Sequence, residues 1–352
     1  MKANLIKVVH LIPRDGIGGV EIAAQSMVRA SKLECNYKLV SIAGDNSVRN
    51  SDRVSVSPFH SENNPLAHLH TIKQVISIKP DVLVCSLWRS VPVGLGVKII
   101  RPSTKLVFFL HSTVTAHFLD WFSSKLVLLF CDAVWADSVA TISSRVGSRK
   151  GLVKRVISFV THEIPVELIP NKRAPRFVFW GRLHRDKGLD RAINFIYMLV
   201  ERGCHASYEI WGPDDGELNS IEVQIESLGL KNMISLKGPA NHNDLNQIVE
   251  GNCFYLQFSR NEGMAMSVVE AMQRSLVPIV TGVGEISTYC RQGHNAIVVK
   301  DPDNPIEAVD DVISILNDEA MYRQLQAAAH NHWAEHVLYK DDVCVAANEL
   351  CK

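Results

Sequence analysis

The chain has 352 residues, 47% hydrophobic and 21% charged, with no net charge. That balance is ordinary for a globular protein and excludes a disordered, collagen-like or membrane-bundle chain. The length allows two domains of roughly 150–180 residues, each large enough to bury a core of its own.

The charge is unevenly spread. Residues 1–170 hold 20 Lys+Arg against 12 Asp+Glu, or +8, and residues 171–352 hold 17 against 25, or −8. Such an excess directs the first half toward something anionic, a membrane surface in preference to nucleic acid.

In chain order, Ile6 to Ile12 reads as a strand, Pro13 to Gly19 as a loop and Val20 to Ala30 as a helix buried on Ile22, Ala23, Met27 and Val28. Gly18-Gly19 would let backbone approach a phosphate closely, or simply make a tight turn. It is not the dinucleotide fingerprint, whose third glycine is missing. Strands follow at Lys38 to Ala43, Val54 to Val56, Val82 to Ser86 and Lys105 to Leu110, with helices at Leu66 to Ile78 and Val91 to Ile100. His68 and His70 fall on a helix surface and suggest no metal. His111 ends a strand, where an imidazole could donate to a sugar hydroxyl or a phosphate, or be a satisfied polar residue.

Ala116 to Cys131 reads as an amphipathic-to-apolar helix, Ala133 to Ala136 as a strand, and residues up to Val146 as a helix. Arg145, Arg149, Lys150, Lys154 and Arg155 form a basic cluster, either a solvated face or a contact for anionic lipid. Val156 to Val160 is the next expected strand, and Ile169-Pro170-Asn171 closes the first domain.

The second domain opens with a strand, Phe177 to Trp180, then the loop Gly181 to Gly188 and a helix from Leu189 to Arg202. Arg182 and Lys187 in that loop are either surface cations or a pair converging on a diphosphate. Strands at Ala206 to Trp211 and Met233 to Leu236 and helices at Leu218 to Leu228 and Asn243 to Glu250 continue the alternation, with the turn Gly238-Pro239 between. Cys253 to Phe258 is a short buried strand, Ser259 to Gly263 a polar turn, and Met266 starts a helix with Val268, Val269, Met272 and Leu276 on one face. Glu262 leaves that strand and Glu270 lies about one turn inside the helix. A helix start outside a strand end offers N–H groups to a phosphate, and Glu270 could take a ribose diol, or be a solvated helix residue.

A strand at Ile279 to Thr281, a short helix Ile286 to Cys290 and a strand Ala296 to Val299 follow. Asp301-Pro302-Asp303 fits a metal-binding pattern, but Asp303-Asn304-Pro305 leads into a helix, Ile306 to Leu316, and reads as an N-cap with Pro at the first helical position. Helices at Glu319 to His336 and Asp341 to Cys351 end the pattern.

The eight cysteines, Cys35, Cys85, Cys131, Cys204, Cys253, Cys290, Cys344 and Cys351, form no Cys-x-x-Cys pair and no zinc spacing. Several lie in apolar runs, which favours free core thiols and a reducing cytoplasm over a disulfide framework. The first residues show no signal-peptide core. The apolar run Phe118 to Phe130 is interrupted by Asp120 and Lys125 and is too short to span a bilayer, so any membrane contact is expected to be peripheral.

These motifs together resemble the glycosyltransferase family 4 enzymes, the group 1 glycosyltransferases. The residues that carry the resemblance are Gly18-Gly19-Val20-Glu21, His111, the run Gly181-Arg182-Leu183 to Lys187-Gly188, Glu262-Gly263 with Glu270 seven residues beyond, and Pro278-Ile279-Val280. It spans nearly the whole chain. It implies an α/β GT-B fold, two Rossmann-like doubly wound domains facing across a cleft: an acceptor domain at 1–171, completed by a final helix at about 338–352, and a nucleotide-sugar domain at 172–337.

The implied activity is retaining transfer of a hexose from a UDP- or GDP-type nucleotide sugar to a glycan acceptor, lipid-linked and in cell-surface polysaccharide synthesis. Neither a cofactor nor a metal is needed. The implied roles are Arg182 and Lys187 on the diphosphate, Glu270 on the ribose, Glu262 orienting the sugar and His111 touching it. Gly18, Gly19, Gly238, Gly263, Met264, Ala265, Met266 and Ser267 offer backbone around the donor. Met264-Ala265-Met266 departs from the family's aromatic-Gly or aromatic-Pro step. A nucleotide-sugar epimerase and a non-catalytic nucleotide-sugar-binding subunit remain as alternatives.

Overall fold

The structure is a computed structural model that describes residues 5–16, 18–44, 54–147, 149, 151–165, 175–240 and 244–352. Two compact units divide the chain, one of Met1–Thr161 with Val337–Lys352 and one of His162–His336. The expected junction Ile169-Pro170-Asn171 lies outside the described residues, as do Lys150 and Asn243.

The first unit contains β1 (Lys7–Arg14), α1 (Gly19–Arg29), β2 (Asn36–Ala43), β3 (Val54–Val56), α2 (Pro65–Ile78), β4 (Val82–Ser86), α3 (Val91–Ile100), β5 (Lys105–Leu110), α4 (Phe118–Val127), β6 (Ala133–Ala136), α5 (Val139–Arg145) and β7 (Val153–Val156). Its strands lie in the order β3-β2-β1-β4-β5-β6-β7, every pair parallel. Helices on both faces explain why β4 is buried along its whole length and reads as an unbroken apolar run. Leu11, Val84 and Phe108 are fully buried or nearly so. Asn64 caps α2 by accepting from Leu66 N at 3.0 Å, with Pro65 at the first helical position.

The second unit contains β8 (Arg176–Trp180), α6 (Leu189–Glu201), β9 (Ser207–Trp211), α7 (Leu218–Ser227), β10 (Ile234–Gly238), α8 (Leu245–Val249), β11 (Phe254–Gln257), α9 (Met266–Gln273), β12 (Val277–Thr281), α10 (Ile286–Tyr289), β13 (Ile297–Val299), α11 (Ile306–Asn317) and α12 (Glu319–Ala334). Its order is β10-β9-β8-β11-β12-β13, again all parallel. Both sheets are doubly wound, and this pair of Rossmann-like sheets is the GT-B fold. The strand order reverses between β1 and β4 in one sheet and between β8 and β11 in the other. Ligands of such sheets bind outside strand ends at these reversals.

The last helix, α13 (Tyr339–Leu350), belongs to the first unit. Tyr339 N donates to Val160 O at 2.7 Å, Asp342 accepts from Ser158 N at 2.8 Å and from Arg155 at 2.6 Å, and Cys344 is disulfide-bonded to Cys35, 309 residues away. The other six cysteines are free, so the expectation of free core thiols is corrected at one pair.

Three further expectations change. The strand after α5 is Val153–Val156 rather than Val156 to Val160. Ile157, Phe159 and Val160 are buried, but only Ile157 still bonds a strand, donating to Ala136 O at 2.9 Å, while Phe159 and Val160 meet Tyr339 of α13. The described members of the basic cluster each bond a protein partner. Arg145 is bonded to Asp120 at 3.0 Å, Arg149 to Leu128 O at 3.0 Å and Lys154 to Gly147 O at 2.6 Å, while Arg155 is paired with Asp342 and Glu349. Pro305 stands at the cap of α11 itself, and Asp303 binds Arg191 at 2.8 Å.

Candidate active site

The reversal between β8 and β11 brings together the two loops that follow these strands. Lys187, before α6, lies 2.7 Å from Glu262 Oε1, after β11. The same oxygen accepts from Gln257 Nε2 at 2.8 Å and Ser259 Oγ at 2.8 Å. Gln257 is fixed in turn, because its Oε1 accepts from Tyr255 Oη at 2.6 Å and Ser267 Oγ at 3.1 Å. A cation and a carboxylate that the sequence separates by 75 residues are thus held by one network.

Two glycines make the approach possible. Gly188 has φ 62°, and a Cβ on it would lie 1.8 Å from Phe258 O. Gly284 has φ 56°, and a Cβ there would lie 2.2 Å from Glu262 O. Any side chain at either would push the loops apart. The segment after Glu262 is held from the other side: Glu285 N donates to Gly263 O at 3.0 Å and Tyr289 Oη to Met264 O at 2.7 Å.

Ala265 caps α9 with φ 55°, in the left-handed region, and no side chain caps the helix. This is the position where the resembling family places glycine or proline after an aromatic residue, and alanine here is strained by on the order of 1–2 kcal/mol. Met266 and Ser267 open α9 with its N–H groups and positive dipole end.

Glu270 does not face open solvent. It is 6% exposed, and its Oε2 accepts from Trp180 Nε1 at 2.9 Å. Burial pushes its carboxyl up to about 6, against the lowering effects of the Trp180 bond and of nearby Arg274. Arg182 is not brought to Lys187. It pairs with Asp215 at 2.5 Å and is mostly exposed, so that bridge adds little stability and can exchange partners. Gly238 has φ 76° and sits at a register shift of β10, where its carbonyl accepts from Gly212 N at 2.8 Å.

In the first unit, Gly18 is the N-cap of α1 with φ −75°, a conformation open to any residue, and Gly19 begins the helix. His111 follows β5 and is tied to the reversal strands β1 and β4. Its Nε2 lies 2.9 Å from Ser86 Oγ, which lies 2.7 Å from His10 Nε2, and His10 Nδ1 lies 2.9 Å from Tyr37 Oη.

The proton order in this relay follows from its far end. Tyr37 donates its only proton to Ala24 O at 3.2 Å. With that proton on Ala24 O, Tyr37 accepts from His10 Nδ1, His10 Nε2 accepts from Ser86, and Ser86 accepts from His111 Nε2. The reverse order would strand an N–H on His111 Nδ1, a buried atom with no partner among the described residues. His111 thus presents a bare lone pair at Nδ1. Burial, with a smaller contribution from His10, holds its pKa down to about 3. In that relay order His111 Nδ1 accepts from a ligand, where the sequence reading has it donate.

The family model for glycosyl transferases group 1 matches residues 160–332. Residues 160–332 are a group 1 glycosyltransferase domain. Lys187, Glu262 and Glu270 all lie inside it. The chain is 28% identical over 124 residues to the mannosylfructose-phosphate synthase of Agrobacterium fabrum, covering 33% of this chain and 27% of that protein. It is 25% identical over 141 residues to the GDP-mannose:cellobiosyl-diphosphopolyprenol alpha-mannosyltransferase of Xanthomonas oryzae pv. oryzae, covering 40% and 36%. The aligned part thus spans well under half the length of these relatives.

Among solved structures, Anabaena HepE in complex with UDP and glucose superposes with a TM-score of 0.77 at 16% identity, covering 98% of this chain and 97% of that one. A glycosyltransferase from Rickettsia africae does so at 0.77 and 16%, covering 99% and 100%. At such identity these likenesses establish the fold.

The sequence had not singled out Gln257, Ser259, Trp180, Asp215 or Ser86. Gln257 carries a readable signal, a polar side chain inside an otherwise apolar buried strand, since such a group requires a designated partner.

Proposed function

We propose that the chain is a retaining glycosyltransferase that moves a hexose from a UDP- or GDP-linked donor to a glycan acceptor. The second unit holds the nucleotide sugar and the first the acceptor. The observation that carries this reading is the Lys187–Glu262 pair at the β8/β11 reversal, beside the start of α9.

A bound diphosphate would draw Lys187 away from Glu262 and Arg182 away from Asp215, gathering two cations where negative charge develops as the glycosidic bond breaks. Glu262 keeps Gln257 and Ser259 and turns a carboxylate oxygen to a sugar hydroxyl. Glu270 accepts from the ribose, and His111 Nδ1 accepts from a hydroxyl of the sugar. The departing phosphate helps take the acceptor proton, so that protein groups mainly position the partners. No metal or cofactor has a role in this reading.

A lipid-linked acceptor at the cytoplasmic membrane face, in cell-surface polysaccharide synthesis, suits the +8 charge of residues 1–170. The test is a thermal-shift screen of UDP, GDP, ADP and CMP and their sugar conjugates against wild type, Glu270→Ala and Lys187→Ala. One nucleotide that stabilises wild type alone supports the site. Equal responses from all three proteins would remove it.

A further inference from the structure

The first turns of helix α4 point polar residues inward: Asp120 and Ser124 are 8% and 5% exposed, while Val127 at its end is fully buried in the apolar core. Both are held by Arg145, at 3.0 Å and 2.8 Å, and Asp120 also accepts from Ala116 N at 2.9 Å. Arg145 further donates to Val114 O at 2.7 Å, so the helix and the turn before it are clamped in one orientation. The face turned outward is aromatic: Phe118 is 71% exposed, Trp121 46% and Phe122 51%, with Leu119 next in the chain and Leu129 and Phe130 exposed past the helix end. Phe118 stacks on both Trp121 and Phe122, at 5.8 Å and 6.3 Å between ring centres.

A contiguous exposed apolar patch marks an interaction surface. The surrounding charge selects its partner. Residues 112–131 contain two charged side chains, the buried Asp120 and the exposed Lys125. Arg149, also exposed, reaches the C-terminal end of α4 through Leu128 O. No exposed carboxylate lies among the described residues of 112–131 or 138–155. An aromatic face with cations and no acids suits the interface of an anionic bilayer, where Trp and Phe sit at headgroup depth. A second copy of this chain would bring like charges together across a two-fold axis.

We propose that α4 docks the protein on anionic membranes by inserting Phe118, Trp121 and Phe122. The inference deepens the membrane part of the proposed function and does not depend on the donor assignment. No described helix is long and apolar enough to cross a bilayer, so this contact is peripheral.

The test is co-sedimentation with vesicles of phosphatidylcholine alone or mixed with phosphatidylglycerol. Wild type should sediment with the mixed vesicles, and the triple variant Phe118→Ser, Trp121→Ser, Phe122→Ser should bind about tenfold or more weakly. The variant must keep the wild-type unfolding temperature, and Lys125→Glu, off the buried network, should weaken binding without touching the fold. Trp121 emission should shift to the blue with mixed vesicles, as the difference between wild type and Trp121→Phe. Triple-variant binding equal to wild type would overturn α4 as the anchor while leaving membrane contact standing, whereas no binding by wild type would overturn both. A concentration-dependent dimer abolished by the triple substitution would reassign the face to a second copy.

Discussion

Lys187 and Glu262 form an ion pair at 2.7 Å across the two loops of the β8/β11 reversal, with side chains 19% and 9% exposed. Because the pair is largely buried, removing one partner leaves the other charge poorly compensated. Lys187→Met should cost about 2 kcal/mol by urea denaturation, somewhat less than a fully buried pair would. It should also lower kcat/KM by on the order of a hundredfold or more. Glu262→Gln with Lys187→Met should recover part of the stability and none of the activity.

Glu270 makes stability depend on pH in the direction opposite to an ordinary carboxylate. Its folded pKa of about 6 exceeds the unfolded value of 4.5. The folded state therefore holds the proton more tightly, and the contribution of Glu270 to stability is fully present below pH 4.5 and is lost as pH rises through about 6. The loss is about 2 kcal/mol. Glu270→Gln should flatten that slope in denaturation curves between pH 4.5 and 7 and weaken nucleotide binding.

The His111 relay yields a spectroscopic prediction. Imidazole nitrogen shifts of labelled protein should report an N–H at Nε2 of His111 and a bare Nδ1. Tyr37→Phe removes the acceptor that orients His10 and should mix the tautomers, while Ser86→Ala should release His111 altogether. If His111 is to accept from a sugar hydroxyl, both variants should raise KM for the donor more than they lower kcat.

Both relay histidines also carry an acid penalty. The pKa of each is lowered to about 3 from 6.5, by burial first. The stability of keeping them neutral is fully present above pH 6.5 and is lost as pH falls toward 3, with about two protons taken up on unfolding. His10→Gln should reduce the slope of unfolding free energy against pH in this window by about one proton.

The Cys35–Cys344 bond closes a 309-residue separation. Long loops gain most from closure, so Cys35→Ser should lower stability by about 3–5 kcal/mol under oxidising conditions and change nothing under strong reductant. Thiol titration of the unreduced, denatured protein should count six groups.

Alternating strands and helices were legible throughout because each strand of a covered parallel sheet is a bounded apolar run. β7 was displaced because Ile157, Phe159 and Val160 are more apolar than its own Val-Lys-Arg-Val, and the partners of Ser158 and Val160 lie on α13, far along the chain. α4 was legible as a helix, but periodicity marks an apolar face without saying which way it points. The half-buried Arg145 that decides this comes from another element. In the site, Glu262 and Lys187 stood out by residue type and position, while Ser86 did not. A serine gains its importance only from the two histidines that β1 and β5 place on either side of it.

The return of α13 sets an order of events on the ribosome. Val160, Ser158, Arg155 and Cys35 emerge early, yet their partners Tyr339, Asp342, Glu349 and Cys344 are translated only after the entire second unit. The first unit therefore waits, with Phe159 and its neighbours uncovered, while the nascent chain elongates. Completion of one half of the molecule follows synthesis of the other, and chaperone demand during synthesis should fall on the half that is begun first.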